Sequence, residues 1–265
     1  MPAIAIAMIH GIGTHHKRYS DECEQLIRQA CQGRTSNTLV FEEIYWSDLL
    51  SEQQETLLGK ANYHNDLDFM SMRKFFVTSL GDAVAYQPLM PNKPIPHDDM
   101  QVYEEVHKRV GRALNNLQTR TANHTDTVLV LMGHSLGSVV LSNYIWDNAA
   151  SGNPLLHKLI GFITFGSPLA LWALRYKTLG TAISFPGKHL SPAESAQAQW
   201  LNYYDEDDIV AYPLKNINAS YQAQVTKDIP INVGTVLTAW NPACHTAYWA
   251  DKDFINSVAD FLVQL

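Results

Sequence analysis

The chain has 265 residues, of which 46% are apolar and 17% are charged, and this composition is typical of a globular protein with a large core. Its formal net charge of −7, without a long basic cluster, argues against nucleic acid and anionic membrane surfaces as partners. Cys23, Cys31 and Cys244 predict neither a disulfide framework nor a zinc site, and without a secretion signal or transmembrane segment we expect a cytoplasmic protein.

The first part of the chain alternates predicted strands and helices. Residues 3–9 are small and branched apolar residues, typical of a parallel strand that is buried on both faces. Residues 21–32 repeat apolar positions at helical spacing, so Cys23 and Cys31 are interpreted as core residues of this helix. Residues 39–46 predict a second strand.

Residues 47–96 have the least regular pattern and predict a helical insertion. A short amphipathic helix is expected over 47–60, and a second apolar helix face follows, formed by Phe69, Met72, Phe76, Leu80 and Val84. Two interpretations stay open. The insertion either forms a lid or wall that offers an apolar acyl-binding surface, with Phe76 contacting substrate, or its helices simply cover the sheet.

The second part of the chain continues the alternation. Amphipathic helices are predicted over 98–120 and 251–263. Between them the pattern predicts one further helix and four strands: the helix at 135–149, and the strands at 127–132, 159–165, 200–204 and 231–237. This order predicts an α/β fold in one domain, residues 1–265, with a mostly parallel sheet of about six strands covered by helices on both faces.

The segment GHSLG at 133–137 lies between a predicted strand and a predicted helix. In a sharp strand-to-helix turn of this kind, Gly133 and Gly137 leave room for tight packing, and Ser135 projects from the turn. A serine hydroxyl is a weak nucleophile at neutral pH, so it needs a base, a group that orients the base and donors for an oxyanion. The segment therefore predicts Ser135 as a nucleophile if the chain supplies these partners.

The sequence resembles the lipase and serine-esterase branch of the α/β-hydrolase family. The resemblance extends over nearly the whole chain, is weakest at 47–96, and is carried by HGIG at 10–13, GHSLG at 133–137, FGSPL at 165–169, YYDEDDIV at 203–210 and HTAYW at 245–249. It implies an α/β-hydrolase fold without the first two strands of the full fold, because HGIG begins at residue 10.

The resemblance also implies a catalytic triad in the chain order serine, acid, histidine. Ser135 would be the nucleophile, and His245, which follows the last predicted strand, would be the base. The acid would be Asp208, because the Ile-Val pair after it best fits the family's pattern of an acid before a hydrophobic or Pro-Val pair, and Asp205 in the same acidic loop remains the alternative.

Further site residues follow from the same resemblance. The backbone N–H groups of Ile12 and Leu136 would form the oxyanion hole. His134, beside the nucleophile, is interpreted as a supporting residue, and His10 as a residue that holds the loop shape. Together with Phe76, these two histidines are the candidate substrate-contacting residues.

These assignments imply a serine hydrolase that cleaves carboxylic esters by two-step acyl transfer, without a metal or cofactor. The expected substrate is a small-molecule or lipid-like ester. A thioesterase or amidase with the same residues is the first alternative, and a hydrolase-fold protein that binds without catalysis is the second. A dinucleotide-binding protein is not favoured, because HGIG lacks the third glycine of GxGxxG.

Overall fold

The computed structural model describes residues 1–13, 16–62, 77, 81–86, 102–150, 152–233 and 244–265. Within these residues, one sheet of six parallel strands has the order β2-β1-β3-β4-β5-β6. The strands are β1 (Ala3–Ile9), β2 (Thr38–Ile44), β3 (Thr127–His134), β4 (Leu159–Phe165), β5 (Gln199–Tyr204) and β6 (Lys227–Pro230). The prediction of a mostly parallel α/β sheet of about six strands is confirmed.

Helices follow the strands and cover both faces of the sheet. They are α1 (Asp21–Cys31), α2 (Ser51–Asn62), α3 (Val102–Arg120), α4 (Leu136–Asp147), α5 (Leu169–Ala173), α6 (Pro192–Gln197), α7 (Ala219–Gln224), α8 (Cys244–Ala247) and α9 (Lys252–Gln264). Residues 81–85 are also helical, and short 3₁₀ turns occur at Ser47–Leu49, Pro154–Lys158 and Tyr248–Ala250. Among the helices of the described ranges, none is long and apolar enough to cross a bilayer.

The first strand shows why its sequence is apolar throughout. Alternate residues of β1 point to opposite faces of the sheet. One set packs in the same core as α3 and α4, and the other packs with α1 and α9: the first is Ala5, Ala7 and Ile9, the second Ile4, Ile6 and Met8. Because both faces are covered, no position in the strand is left for a polar side chain.

The two cysteines of α1 are confirmed as core residues. Cys23 and Cys31 are buried free thiols in the layer that α1 forms against α9. Burial, followed by the charges of Glu22 and Glu24, raises the pKa of Cys23 to about 12. The Cys23 thiol therefore stays protonated and unreactive at neutral pH.

The register of the strands determines where the loops open. Ile9 at the end of β1 lies beside Ile44 of β2 and Gly133 of β3, and Phe165 of β4 lies beside His134 of β3. The carboxyl ends of these strands therefore meet at one edge of the sheet. In open parallel sheets this edge is where binding and catalytic loops lie.

The last predicted strand is wrong in position. Residues 231–237 were expected to pair, but β6 is Lys227–Pro230, residues 231–233 lie outside any strand, and 234–237 fall outside the described ranges. The sequence KDIP of β6 is short, polar and at the sheet edge, so it has no apolar run to mark it.

The region 47–96 is described only in part. The helix expected over 47–60 is present as a 3₁₀ turn followed by α2. Val84, placed on an apolar face by the sequence, is exposed among the helical residues 81–85. Phe76 and the other apolar positions of that face lie outside the described residues, so the lid and wall interpretations both stay predictions.

Candidate active site

Ser135 occupies the turn between β3 and α4. Its φ of 51° and ψ of −130° are conformations that non-glycine residues rarely adopt, so surrounding contacts must hold them. The Ser135 N–H donates to the Phe165 carbonyl (3.0 Å), and the Ser135 carbonyl accepts from the N–H (2.9 Å) and the hydroxyl (2.6 Å) of Ser138. These bonds attach the turn to β4 and to the first turn of α4.

Two glycines are required by close approach around this turn. A Cβ at Gly137 would lie 2.5 Å from the His10 carbonyl oxygen, and a Cβ at Gly11 would lie 2.3 Å from the Ser135 Cβ. Only glycine fits at such separations. As a result α4 packs against the end of β1, and the loop after β1 lies directly against Ser135.

The structure brings Ser135, Asp208 and His245 into one hydrogen-bonded chain. The Nε2 atom of His245 lies 2.7 Å from the Ser135 Oγ, and its Nδ1 lies 2.7 Å from the Asp208 Oδ2. An ionised carboxylate only accepts, so Nδ1 carries the proton and Nε2 accepts from the serine hydroxyl. All three side chains are buried.

The surroundings of Asp208 keep its carboxylate charged. Burial is the largest single influence and acts to raise the pKa of Asp208, but it is outweighed by the combined effect of the hydrogen bond and charge of His245, the Val210 N–H (3.0 Å) and the Tyr248 hydroxyl (3.1 Å). The net result is a pKa below the ordinary value. Asp208 is therefore ionised at neutral pH, as a group that orients a histidine must be.

Asp205, the alternative acid, is engaged elsewhere. One of its carboxylate oxygens accepts from the Val233 N–H (2.6 Å) and the other from the Asp207 N–H (2.8 Å). These bonds hold the segment after β6 and the turn of the acidic loop. The geometry thus favours Asp208 over Asp205 as the partner of His245.

Tyr248 links the two aspartates, a role that no sequence motif indicated. Its hydroxyl accepts from the Asp205 N–H (2.9 Å) and donates to the Asp208 Oδ2 (3.1 Å). Burial, reinforced by the charge of Asp208, raises the pKa of Tyr248 far above its ordinary value, so the hydroxyl keeps its proton. Its place three residues after His245, in the quoted segment HTAYW, was the only sequence signal.

His10 holds the loop after β1. Its Nδ1–H donates to the Gly11 carbonyl (2.8 Å), and its Nε2 accepts from the Trp46 N–H (3.1 Å). The Trp46 indole N–H donates back to the His10 carbonyl (3.1 Å), and the two rings stack 5.3 Å apart. With the side chain buried between these groups, the geometry favours the loop-shaping interpretation, and substrate contact by His10 stays a prediction.

These contacts also orient the candidate oxyanion donors. In a trans peptide the carbonyl of Gly11 and the N–H of Ile12 point in opposite directions, so the bond from His10 to the Gly11 carbonyl determines where the Ile12 N–H points. Leu136 is the first residue of α4, and its N–H has no acceptor within the helix. Its position next to Ser135 directs it to the same edge of the sheet.

His134 contacts the backbone of the histidine loop. Its Nε2–H donates to the His245 carbonyl (2.6 Å), and the two imidazole rings lie 4.8 Å apart. The residue before Ser135 therefore holds the backbone of His245, the candidate base. Substrate contact by His134 stays a prediction.

Asp82 reaches this site from the region 47–96, and no sequence signal marked it. One of its carboxylate oxygens accepts from the Gly13 N–H (2.8 Å) and the other from the Gln54 side-chain amide (2.7 Å). Burial raises the pKa of Asp82 to about 6, and these two hydrogen bonds offset only part of that rise. Both partners are uncharged, so no ion pair compensates the buried carboxylate within the described contacts.

We expect the wild-type protein to lose stability relative to Asp82→Asn as pH rises from about 4 to about 6. The unfolded chain releases this proton near pH 3.8, whereas the native state keeps it to about 6, so the native state binds more protons in this window. The stabilisation that the protonated Asp82 contributes is fully present below pH 3.8 and is lost as pH rises through about 6. Over this range the free energy of unfolding of the wild type, relative to that of Asp82→Asn, falls by about 3 kcal/mol at most.

Urea unfolding of both variants between pH 4.5 and 8 measures this difference. The comparison cancels acid effects from other groups. A difference that stays constant across the range would contradict the prediction.

Groups of three or more His, Cys, Asp or Glu side chains that could hold a metal ion are absent from the part of the chain that the structure describes. The sequence expectation that no metal or cofactor is needed stays a prediction.

The strand order, the strand-to-helix turn at Ser135 and the loops at the carboxyl edge define an α/β-hydrolase fold. By sequence, no family profile and no curated protein matches the chain. By structure, one similar chain is a Trichoderma reesei cutinase bound to a phosphonate inhibitor, with 14% identity, a TM-score of 0.44, and coverage of 98% of this chain and 75% of that one.

A second similar structure is the phospholipase PlaB from Legionella pneumophila in complex with thio-NAD. It has 13% identity and a TM-score of 0.31, and the match covers 83% of this chain but only 41% of the phospholipase. Neither likeness bears on the activity of this chain, for which the geometry around Ser135 is the relevant observation.

Proposed function

We propose that this chain is a serine hydrolase that cleaves carboxylic esters through an acyl-enzyme. The observation that carries the proposal is the continuous chain from the Ser135 hydroxyl through His245 to Asp208, with 2.7 Å at each link. A nucleophile, a base and an orienting acid within hydrogen-bond reach form the arrangement that activates a serine.

In the first step, the Ser135 Oγ attacks the ester carbonyl carbon, and its proton moves to the Nε2 of His245. Asp208 holds the imidazole in the required tautomer and stabilises the imidazolium. The carbonyl oxygen becomes an oxyanion, which the N–H groups of Ile12 and Leu136 stabilise by about 3 kcal/mol per donor. His245 then returns the proton to the alcohol oxygen as the carbon–oxygen bond breaks.

In the second step, water replaces the departed alcohol. His245 takes a proton from this water, which attacks the acyl carbon on Ser135 through a second tetrahedral oxyanion. The same N–H groups stabilise that charge. The proton then passes from His245 to the Ser135 Oγ, which releases the carboxylic acid and restores the starting state.

The fixed loop geometry supports this mechanism. Oxyanion donors act well when they are held in place before the charge develops. His10 and Trp46 fix the Gly11 carbonyl, and therefore the Ile12 N–H, through contacts that need no substrate. The proposed site is thus preorganised by the protein itself.

The proposed substrates are small-molecule or lipid-like esters, as the resemblance of the sequence implies. Thioesters and amides pass through the same tetrahedral intermediate, so Ser135, Asp208 and His245 could serve those leaving groups too. The relative rates at which the protein turns over esters, thioesters and amides distinguish these activities.

A panel of p-nitrophenyl esters with matched thioesters and anilides tests the proposal. We expect a burst of p-nitrophenol equal to the enzyme concentration, followed by steady turnover, and a higher kcat/KM for esters than for anilides. Faster turnover of thioesters by tenfold or more would establish the thioesterase alternative. Folded protein that turns over none of them would instead support a binding protein.

The same panel tests the acyl-binding surface expected at 47–96. A higher kcat/KM for octanoyl than for acetyl esters is the expected result. Equal values would contradict a pocket for long acyl chains.

A further inference from the structure

The loop that carries Ile12 is held by side chains from outside the sheet as well as by His10. Gly13 has a φ of +93°, and both of its peptide groups are engaged. Its N–H donates to the Asp82 carboxylate (2.8 Å), and its carbonyl accepts from the Ser47 hydroxyl (2.9 Å). The loop is therefore fixed on both sides of Ile12.

Asp82 is itself held firmly. The Tyr86 N–H donates to the Asp82 carbonyl (2.9 Å), which places the two residues one helical turn apart. The buried Tyr86 hydroxyl contacts the Nε2 of His107 on α3 (2.9 Å) and the side-chain amide of Asn143 on α4 (3.3 Å). The segment 81–86 is thus docked on the two helices that cover this face of the sheet.

The ionised Asp82 carboxylate destabilises the native state. It is buried, its contacts are uncharged, and its raised pKa shows that the native state disfavours the ionised form. An asparagine could make two hydrogen bonds at the same place without this cost. Such locally unfavourable groups concentrate at functional sites.

We propose that Asp82 is a positioning residue that holds the oxyanion loop, through the Gly13 N–H, in the orientation that stabilises the tetrahedral intermediate. The inference rests on the proposed function. The Gly13 N–H belongs to the peptide unit that follows the Ile12 Cα, and the Ile12 N–H to the unit that precedes it. Release of the Gly13 N–H therefore frees one of the two peptide units that meet at Ile12, and the backbone that positions the Ile12 N–H is then held from one side only. Asp82 acts through this backbone and does not touch substrate.

The proposal predicts a specific kinetic pattern. Oxyanion stabilisation is realised in the transition state, so its loss lowers kcat and leaves KM nearly unchanged. For Asp82→Ala we expect kcat to fall by about 10²-fold, comparable with loss of one oxyanion donor. Asp82→Asn should recover most of this loss, because its amide oxygen accepts from Gly13 while Gln54 turns its own oxygen toward the new amide N–H.

Asp228→Ala is the matched control. Asp228 also accepts backbone N–H groups, those of Leu214 and Lys215 (2.9 Å each), but it lies on β6 away from the oxyanion loop. We expect this variant to keep the wild-type kcat. Urea unfolding of all variants confirms that equal fractions are folded.

Asp82→Glu provides a second test if Asp82→Ala does not fold. It keeps the charge, but one more methylene group displaces the carboxylate from Gly13, and displacements of about 1 Å at a catalytic group are costly. Its kcat should fall by about tenfold. A wild-type kcat in either folded variant, or a change confined to KM, would overturn the role of Asp82. A burst of p-nitrophenol from the wild-type protein would still support the proposed function in that case. If the wild type hydrolyses no ester, both proposals are overturned.

Discussion

Replacing Ser135 with alanine will abolish ester hydrolysis and covalent labelling by a fluorophosphonate. We expect kcat to fall by on the order of 10⁶-fold, because the attacking oxygen is removed and only binding and oxyanion contacts remain. The fold should be unaffected, since the bonds of the Ser135 backbone to Phe165 and Ser138 do not involve its side chain. Intact-protein mass after labelling, beside initial rates, measures both effects.

Ser195→Ala is the control for this experiment. Ser195 is an exposed serine of α6, so its removal leaves the site untouched. We expect a single adduct on the wild type and on Ser195→Ala, and none on Ser135→Ala. Folded wild-type protein without an adduct would contradict an activated serine and would support the binding-protein alternative.

Asp208→Asn will lower kcat by about 10⁴-fold, which is the second-largest effect that we expect. The asparagine amide cannot stabilise an imidazolium, and its NH₂ group can turn toward His245 and select the wrong tautomer. Thermal or urea unfolding should show a folded protein, because the Val210 N–H still has an oxygen to bind. Steady-state rates with the ester substrate measure the loss.

Asp205→Asn separates the two aspartates. Its carboxylate holds the Val233 and Asp207 N–H groups, so we expect a lower free energy of unfolding and a kcat close to wild type. If Asp208→Asn instead keeps near-wild-type turnover and Asp205→Asn loses it, the assignment of the acid is wrong.

Local sequence signals predicted much of the fold. The unbroken apolar runs of β1, β3 and β4 mark strands that are buried on both faces, and the observed strands include every residue of those predictions. GHSLG marks the turn at Ser135 because its first glycine is required by neighbouring backbone: a Cβ at Gly133 would lie 2.8 Å from the Ser138 Cα. These features could be predicted because their causes lie within a few residues of chain.

Features with distant causes were not predictable in this way. Tyr248 meets Asp208 across 40 residues, and Asp82 meets Gly13 across 69, so no spacing in the sequence announces either contact. The alternative between Asp205 and Asp208 stayed open for a related reason. Both lie in one short loop, and only the folded geometry shows that Asp208 is the aspartate that is hydrogen-bonded to His245.

The separation of Ser135 and His245 along the chain affects the protein while it is being synthesised. The two residues are 110 positions apart, and the nucleophile is made first. At bacterial or eukaryotic elongation rates the base follows roughly 5–20 s later. Until then the ribosome carries a chain whose serine is an ordinary alcohol. Under the proposed function, a nascent chain therefore has no hydrolytic activity toward its surroundings, and reactivity begins only once residues after β6 have emerged and docked.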